Sequence, residues 1–160
     1  TQGMQPIIGF NYGAGKYNRL KKAYWLSVAA ASAVMFIGFL GAQLVPHWIA
    51  RAFTTDSELI ANTSVALRIG TAVFWAVGFQ IVSTNYFQSL GLAGKSIFLS
   101  LTRQILFLMP LIYIFSHAFG LNGIWAAYST SDFIATLVTA IMMIFQLKKL
   151  NRLAAAMPKE

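Results

Sequence analysis

"AYWLSVAAASAVMFIGFLGAQLVPHWIA", residues 23–50, is a run of 28 residues without one charged side chain. Lys21 and Lys22 precede it and Arg51 follows it. About 20 predominantly apolar residues suffice to cross roughly 30 Å of hydrocarbon, so this stretch reads as a membrane span. The pattern recurs along the chain. Residues 69–94 carry no charge, residues 104–131 carry none, and after Asp132 the uncharged run resumes over 133–147. The chain therefore reads as four full spans, at about 24–45, 66–88, 97–117 and 123–146. The last two are separated by "HAFGLNG" (117–123), with Gly120 and Gly123 supplying the turn.

Composition agrees with that reading. Of 160 residues, 58% are hydrophobic and 10% charged, and mean hydropathy is +0.64. Soluble domains lie near 45–50% apolar and about 25% charged, and a small one has too little interior to hide such a surplus. The chain has no cysteine, which excludes a disulfide framework and thiolate metal sites. No run resembles a signal peptide, because no small-residue cleavage site ends the first apolar stretch.

The net charge of +8 points to nucleic acid only if the charges form one surface in water. Their placement points elsewhere. Lys16, Arg19, Lys21 and Lys22 precede the first span, Lys95 separates the second from the third, and Lys148, Lys149, Arg152 and Lys159 come after the fourth. Nine of the twelve basic residues thus share one side. The opposite loops hold Arg51 beside Asp56 and Glu58, while Arg68 and Arg103 lie near membrane edges where they can snorkel. By the positive-inside rule the loops at 15–22 and 91–96 and the C-terminus are cytoplasmic, and no nucleic-acid partner is expected.

Residues 1–14 then read as the end of a fifth helix arriving from outside. The chain accordingly reads as the C-terminal piece of a longer membrane protein. Two glycine-lysine stretches imitate phosphate loops and do not match them. "GAGKYN" (13–18) lacks the third glycine and a preceding strand, and "SLGLAGKS" (89–96) has Ser89 where a P-loop has glycine. Both read as helix-ending glycines with an interfacial lysine after them. Gly9 and Gly13 have the GxxxG spacing of close helix contact.

No catalytic constellation appears. His47 and His117 lack a second ligand at helical spacing, and no paired carboxylates or nucleophile elbow occur. No enzyme activity, metal or cofactor is expected. Polar residues inside the spans are the candidates instead. Asp132 lies about ten residues into the last span, where an ionised carboxylate costs roughly 2.5–3.5 kcal/mol on insertion scales. Tyr128, Ser129, Ser131 and Thr136 could satisfy it, and Arg103 could approach it across a helix pair. Gln80, Ser83, Thr84 and Asn85 form a second patch. Pro46 and Pro110 are expected to kink their helices. Substrate and cavity candidates are Asp132, Gln80, Asn85, Arg103 and Gln5, with helix-to-helix hydrogen bonding as the alternative role.

"GMQPIIGFNYGAGKYNRLKKA" (3–23) resembles the segment entering the cytoplasmic loop between helices eight and nine of MATE multidrug transporters. The family pattern there is G-x-Q-P-I-x-G-[FY]-N-[YF]-G-A, with Lys and Arg after it. "FTTDSELIANTSVALRI" (53–69) resembles the family's outer loop, where a Thr/Ser-Asp pair starts a new helix. "FQSLGLAGKSIFLSLTRQILFLMPLIYIF" (87–115) resembles the family's next turn and helix, with an Arg-Gln pair and a proline, and "FGLNGIWAAYSTSDFIA" (119–135) continues the likeness. The resemblance extends from Gly3 to about Arg152 and is closest to the MepA/DinF-like branch.

The resemblance implies an all-α twelve-helix antiporter in the bacterial plasma membrane, exporting cationic amphiphilic compounds in exchange for H⁺ or Na⁺. Residues 1–152 would form part of its C-terminal lobe, with 153–160 a cytoplasmic tail and the N-terminal lobe as partner. Some branches carry a coupling carboxylate in helix ten, but residues 69–94 contain no Asp or Glu. The DinF-like branch has its coupling aspartate in the first helix, so the principal cation site is expected outside this chain. A structural or assembly subunit, and a lipid-linked oligosaccharide flippase of the same superfamily, are the alternatives.

Overall fold

The computed structural model describes residues 2–155; Lys159 and the end of the 153–160 tail lie outside them. The described residues are helical nearly throughout and contain no strand. Helix α1 (Met4–Gly13) and helix α2 (Tyr17–Leu44) are joined at Gly15, which takes φ 69°. There Lys16 N–H donates to the Asn11 carbonyl at 2.8 Å and Gly15 N–H to that of Tyr12 at 3.1 Å. These two bonds make a Schellman ending, in which the left-handed residue favours glycine. After a break at Val45, Pro46 opens α3 (Pro46–Arg51), a position where the missing N–H is no loss. The proline kink expected at the end of the first span is therefore a new short helix.

Asp56 caps α4 (Ser57–Gly70), its Oδ1 accepting from the N–H groups of Glu58 and Leu59 at 2.9 and 3.3 Å. α5 (Phe74–Ser89) begins after a 54° bend. The sequence suggests one span over 66–88; the structure divides it at 71–73. The carbonyls freed there are caught from other helices. Gln43 Nε2 on α2 donates to the Arg68 carbonyl at 2.8 Å, and the Ser129 hydroxyl donates to that of Ile69. A second Schellman ending, with Gly91 at φ 71°, closes α5. The two glycine-lysine stretches are thus the ends of α1 and α5.

α6 (Ala93–Leu101) runs into a π-helical segment, Thr102–Leu108, and then into α7 (Met109–Ala155). Pro110 cannot donate a backbone hydrogen bond, and the chain widens into the π turn just before it. The stretch Ala93–Ala155 is 63 residues long, about 95 Å if straight, so it must fold back. It does so at Gly120, whose φ 59° and ψ −137° divide α7 into arms 109–119 and 121–155. The arms return side by side. A Cβ on Gly123 would overlap the Phe115 carbonyl oxygen, an approach open only to glycine.

α2 and α5 cross at Gly78, where a Cβ would stand 2.8 Å from the Ser32 Cα. α1 packs on both helices. A Cβ on Gly9 would meet the Ser89 carbonyl, whereas one on Gly13 would meet nothing within 4 Å among the described residues, so only half of the GxxxG spacing packs. A buried cluster that includes Ile8, Leu20, Tyr24, Tyr86, Phe87 and Met143 joins α1, α2, α5 and α7. Near it, Lys21 Nζ donates to Asn151 Oδ1 at 2.9 Å and Lys95 Nζ to Gln146 Oε1 at 3.4 Å. Basic segments distant in sequence therefore meet at one end of the bundle. Outward positions are apolar: Leu26, Ile37 and Leu44 on α2 are 70%, 69% and 72% exposed. Water would penalise such a face, whereas hydrocarbon solvates it. This is a helical membrane bundle.

Candidate binding cavities

Two cavities meet at Arg103. The larger, about 550 Å³, is bounded by α4, the start of α5, Arg103 of the π segment and the 121–155 arm of α7. Its wall is mainly apolar and aromatic, with Leu67, Phe74, Trp125 and Tyr128 among the lining residues and Asp132 and Arg103 on its margin. The smaller, about 180 Å³, lies between α5 and the α6–π segment and is more polar, lined by Gln80, Thr84, Asn85, Arg103 and Gln104 among others.

The π turn and the final arm jointly position Arg103. Its Nε donates to Asp132 Oδ1 at 2.7 Å, while its own backbone carbonyl accepts from the Ser131 hydroxyl at 2.9 Å. Asp132 is buried and Arg103 only partly so. Taking a single charge into a low-dielectric interior is prohibitive, and a hydrogen-bonded opposite charge offsets much of that cost. Asp132 also finds its partner across the hairpin rather than among its neighbours. Ser129 serves the Ile69 carbonyl, Ser131 the Arg103 carbonyl, and Thr136 the Asp132 backbone carbonyl at 2.8 Å. None of these hydroxyls bonds the carboxylate.

Behind Asn85 of the smaller cavity, Gln5 Nε2 donates to Asn85 Oδ1 at 3.2 Å, tying α1 to α5. Ser83, from the same polar patch, shares a 2.8 Å hydrogen bond with the Tyr24 hydroxyl. Gln80 is 3% exposed, and its Oε1 has no hydrogen-bond partner among the described residues. Of the candidates read from sequence, Gln80, Asn85 and Arg103 thus line one cavity, Asp132 joins Arg103 on the other, and Gln5 holds Asn85. The sequence reading named Tyr128 only as a group that could satisfy Asp132, and missed Phe74 and Trp125, with which it lines the cavity. Part of the signal was available in "WAAYSTSD" (125–132), which sets Trp125 and Tyr128 about one helical turn apart ahead of Asp132, but contact with α4 and α5 could not be inferred from spacing alone.

The MatE family profile matches residues 1–114. The chain belongs to the MatE family. Among curated relatives, the multidrug export protein MepA of Staphylococcus aureus (strain N315) is 22% identical over 148 residues, covering 92% of this chain and 32% of MepA. An FAD transporter of Shewanella oneidensis is 22% identical over 127 residues, covering 79% of this chain and 28% of that protein. Among solved structures, the MATE multidrug transporter DinF-BH aligns at a TM-score of 0.83 and 38% identity, covering 89% of this chain and 32% of that one. The chain spans about a third of the length of these relatives. MatE proteins are transporters rather than enzymes, and this MatE bundle is an integral membrane protein with bacterial relatives.

Proposed function

We propose that this MatE chain forms part of the C-terminal lobe of a bacterial multidrug efflux antiporter. Its basic end faces the cytoplasm, and cationic amphiphilic compounds leave in exchange for H⁺ or Na⁺, whose main site lies in the N-terminal lobe. The observation that carries this reading is the Arg103–Asp132 pair on the wall of an apolar, aromatic cavity within a membrane bundle. A purely structural pair needs no cavity beside it. An apolar cleft with one ionic pair in its lining suits a cargo that is greasy over most of its surface and charged at one point.

The test is export by the full-length protein in a bacterium lacking its own efflux pumps. Cationic dye should leave the cells in a manner abolished by collapsing the proton or the sodium gradient. An anionic flavin nucleotide belongs in the same panel because one relative is named an FAD transporter. Flavin export without cation export would overturn the cationic assignment.

A structural or assembly role is the second reading. It draws on the Gln5–Asn85, Tyr24–Ser83 and Ser129–Ile69 bonds, in which polar side chains link helices. That role predicts no gradient-dependent movement of any compound in the panel.

A further inference from the structure

We propose that the larger cavity is itself a binding site for an organic monocation and that Arg103 is its displaceable internal occupant. When a cation reaches Asp132, the guanidinium turns into the smaller cavity and donates to Gln80 Oε1. The proposal rests on the transport reading for its substrate class.

Four observations converge on it. Arg103 lines both cavities, so open space of either kind lies within its surroundings. In the observed position one guanidinium N–H serves Asp132; the group has five N–H donors in a planar fork. Gln80 supplies the second position. A buried amide oxygen without a partner is rare and costly in a native structure; this one is enclosed, on a residue that lines the cavity Arg103 also lines, so a turn of the Gln80 amide is what presents it to the guanidinium. The larger cavity, finally, has Phe74, Trp125 and Tyr128 in its wall. Their ring faces attract a desolvated cation.

The charges explain why two positions are needed. With Arg103 on Asp132 the margin of the large cavity is close to neutral, and an entering cation meets no net attraction. A cation that displaced Arg103 without a second acceptor would leave a partly buried guanidinium without its partner. Gln80 removes that obstacle. The Ser131 hydroxyl holds the Arg103 backbone carbonyl, so the proposed movement is one of side chains.

Tetraphenylphosphonium binding to the full-length protein in lipid nanodiscs, measured without any gradient, tests the proposal. Asp132→Asn should weaken binding at least about tenfold, as expected for loss of the charged partner. Arg103→Gln should tighten it about tenfold by removing the competitor, and Gln80→Leu should weaken it about threefold by removing the second acceptor. In the Arg103→Gln background, Gln80→Leu should have no further effect. Weaker binding by a monodisperse Arg103→Gln protein would overturn the proposal. So would unchanged affinity in the Gln80→Leu protein, which loses only an unpaired amide and has no reason to misfold. Binding that obeys the expected order without dye export would leave the site standing and overturn the transport reading instead.

Discussion

Asp132 and Arg103 differ in how much they depend on each other. Asp132→Leu leaves the guanidinium facing an apolar wall, and removing one partner of a buried pair typically costs about 3–5 kcal/mol. Here the partial exposure of Arg103 lowers the expected loss to about 2 kcal/mol. The double variant Arg103→Leu, Asp132→Leu should recover most of it, because an apolar replacement leaves no unpaired charge. Thermal unfolding of the purified full-length protein checks both; a double variant no more stable than the single one would contradict the pairing. Asp132→Asn keeps the shape and a hydrogen-bond acceptor, so expression should stay near normal while cation export falls. Efflux normalised to protein level reads that outcome. Both residues stood out in sequence because charge inside an apolar span is conspicuous. The unpaired state of Gln80 did not, since an amide reveals its partners only once helices are packed.

At the level of helices, the decisive contacts belong to glycine. Gly78→Ala would place a methyl group against the backbone of α2, where Ser32 Cα and the Ala31 carbonyl carbon cannot yield. An overpacking cost of about 1–3 kcal/mol is expected. Gly38→Ala, on α2 with nothing within 4 Å, should instead stabilise by up to about 1 kcal/mol through helix propensity. Comparing the melting temperatures of these two variants isolates the crossing from any general effect of alanine. Sequence resolved the local devices well. Asp56 as a helix start, and Gly15 and Gly91 as helix ends, are written in a few adjacent residues. The bend at 71–73 was not legible, because "GTAVF" (70–74) contains no proline or charge. The bend is stabilised by Gln43 and Ser129, which are distant in sequence. The π turn before Pro110 was half legible: proline announces a disturbance, but not whether it becomes a kink or a widened turn.

For the whole molecule, the meeting of basic segments at one end predicts the topology. Cysteines at Asn18 and Asn151 should react with an impermeant reagent only from the cytoplasmic side, and one at Ser57 only from outside. Labelling of Asn18 and Ser57 from the same face would contradict the bundle's direction. Under the proposed two-lobed antiporter, the 160-residue chain alone should leave an efflux-deficient bacterium as sensitive to cationic dyes as before, because the transport cleft would need the other lobe; growth on dye plates checks this. The tight return at Gly120 and Gly123 also bears on biosynthesis. The ribosome delivers Arg103 to the translocon before Asp132, with only a glycine turn between their helices. Asp132 presented alone faces an insertion cost of about 2.5–3.5 kcal/mol, whereas a hairpin entering as one unit brings its counter-charge along. In a glycosylation-tag insertion assay, residues 121–155 should enter microsomal membranes poorly, and residues 93–155 efficiently. Arg103→Leu should reduce the longer segment to the behaviour of the shorter one, making the arginine an escort for the helix delivered after it.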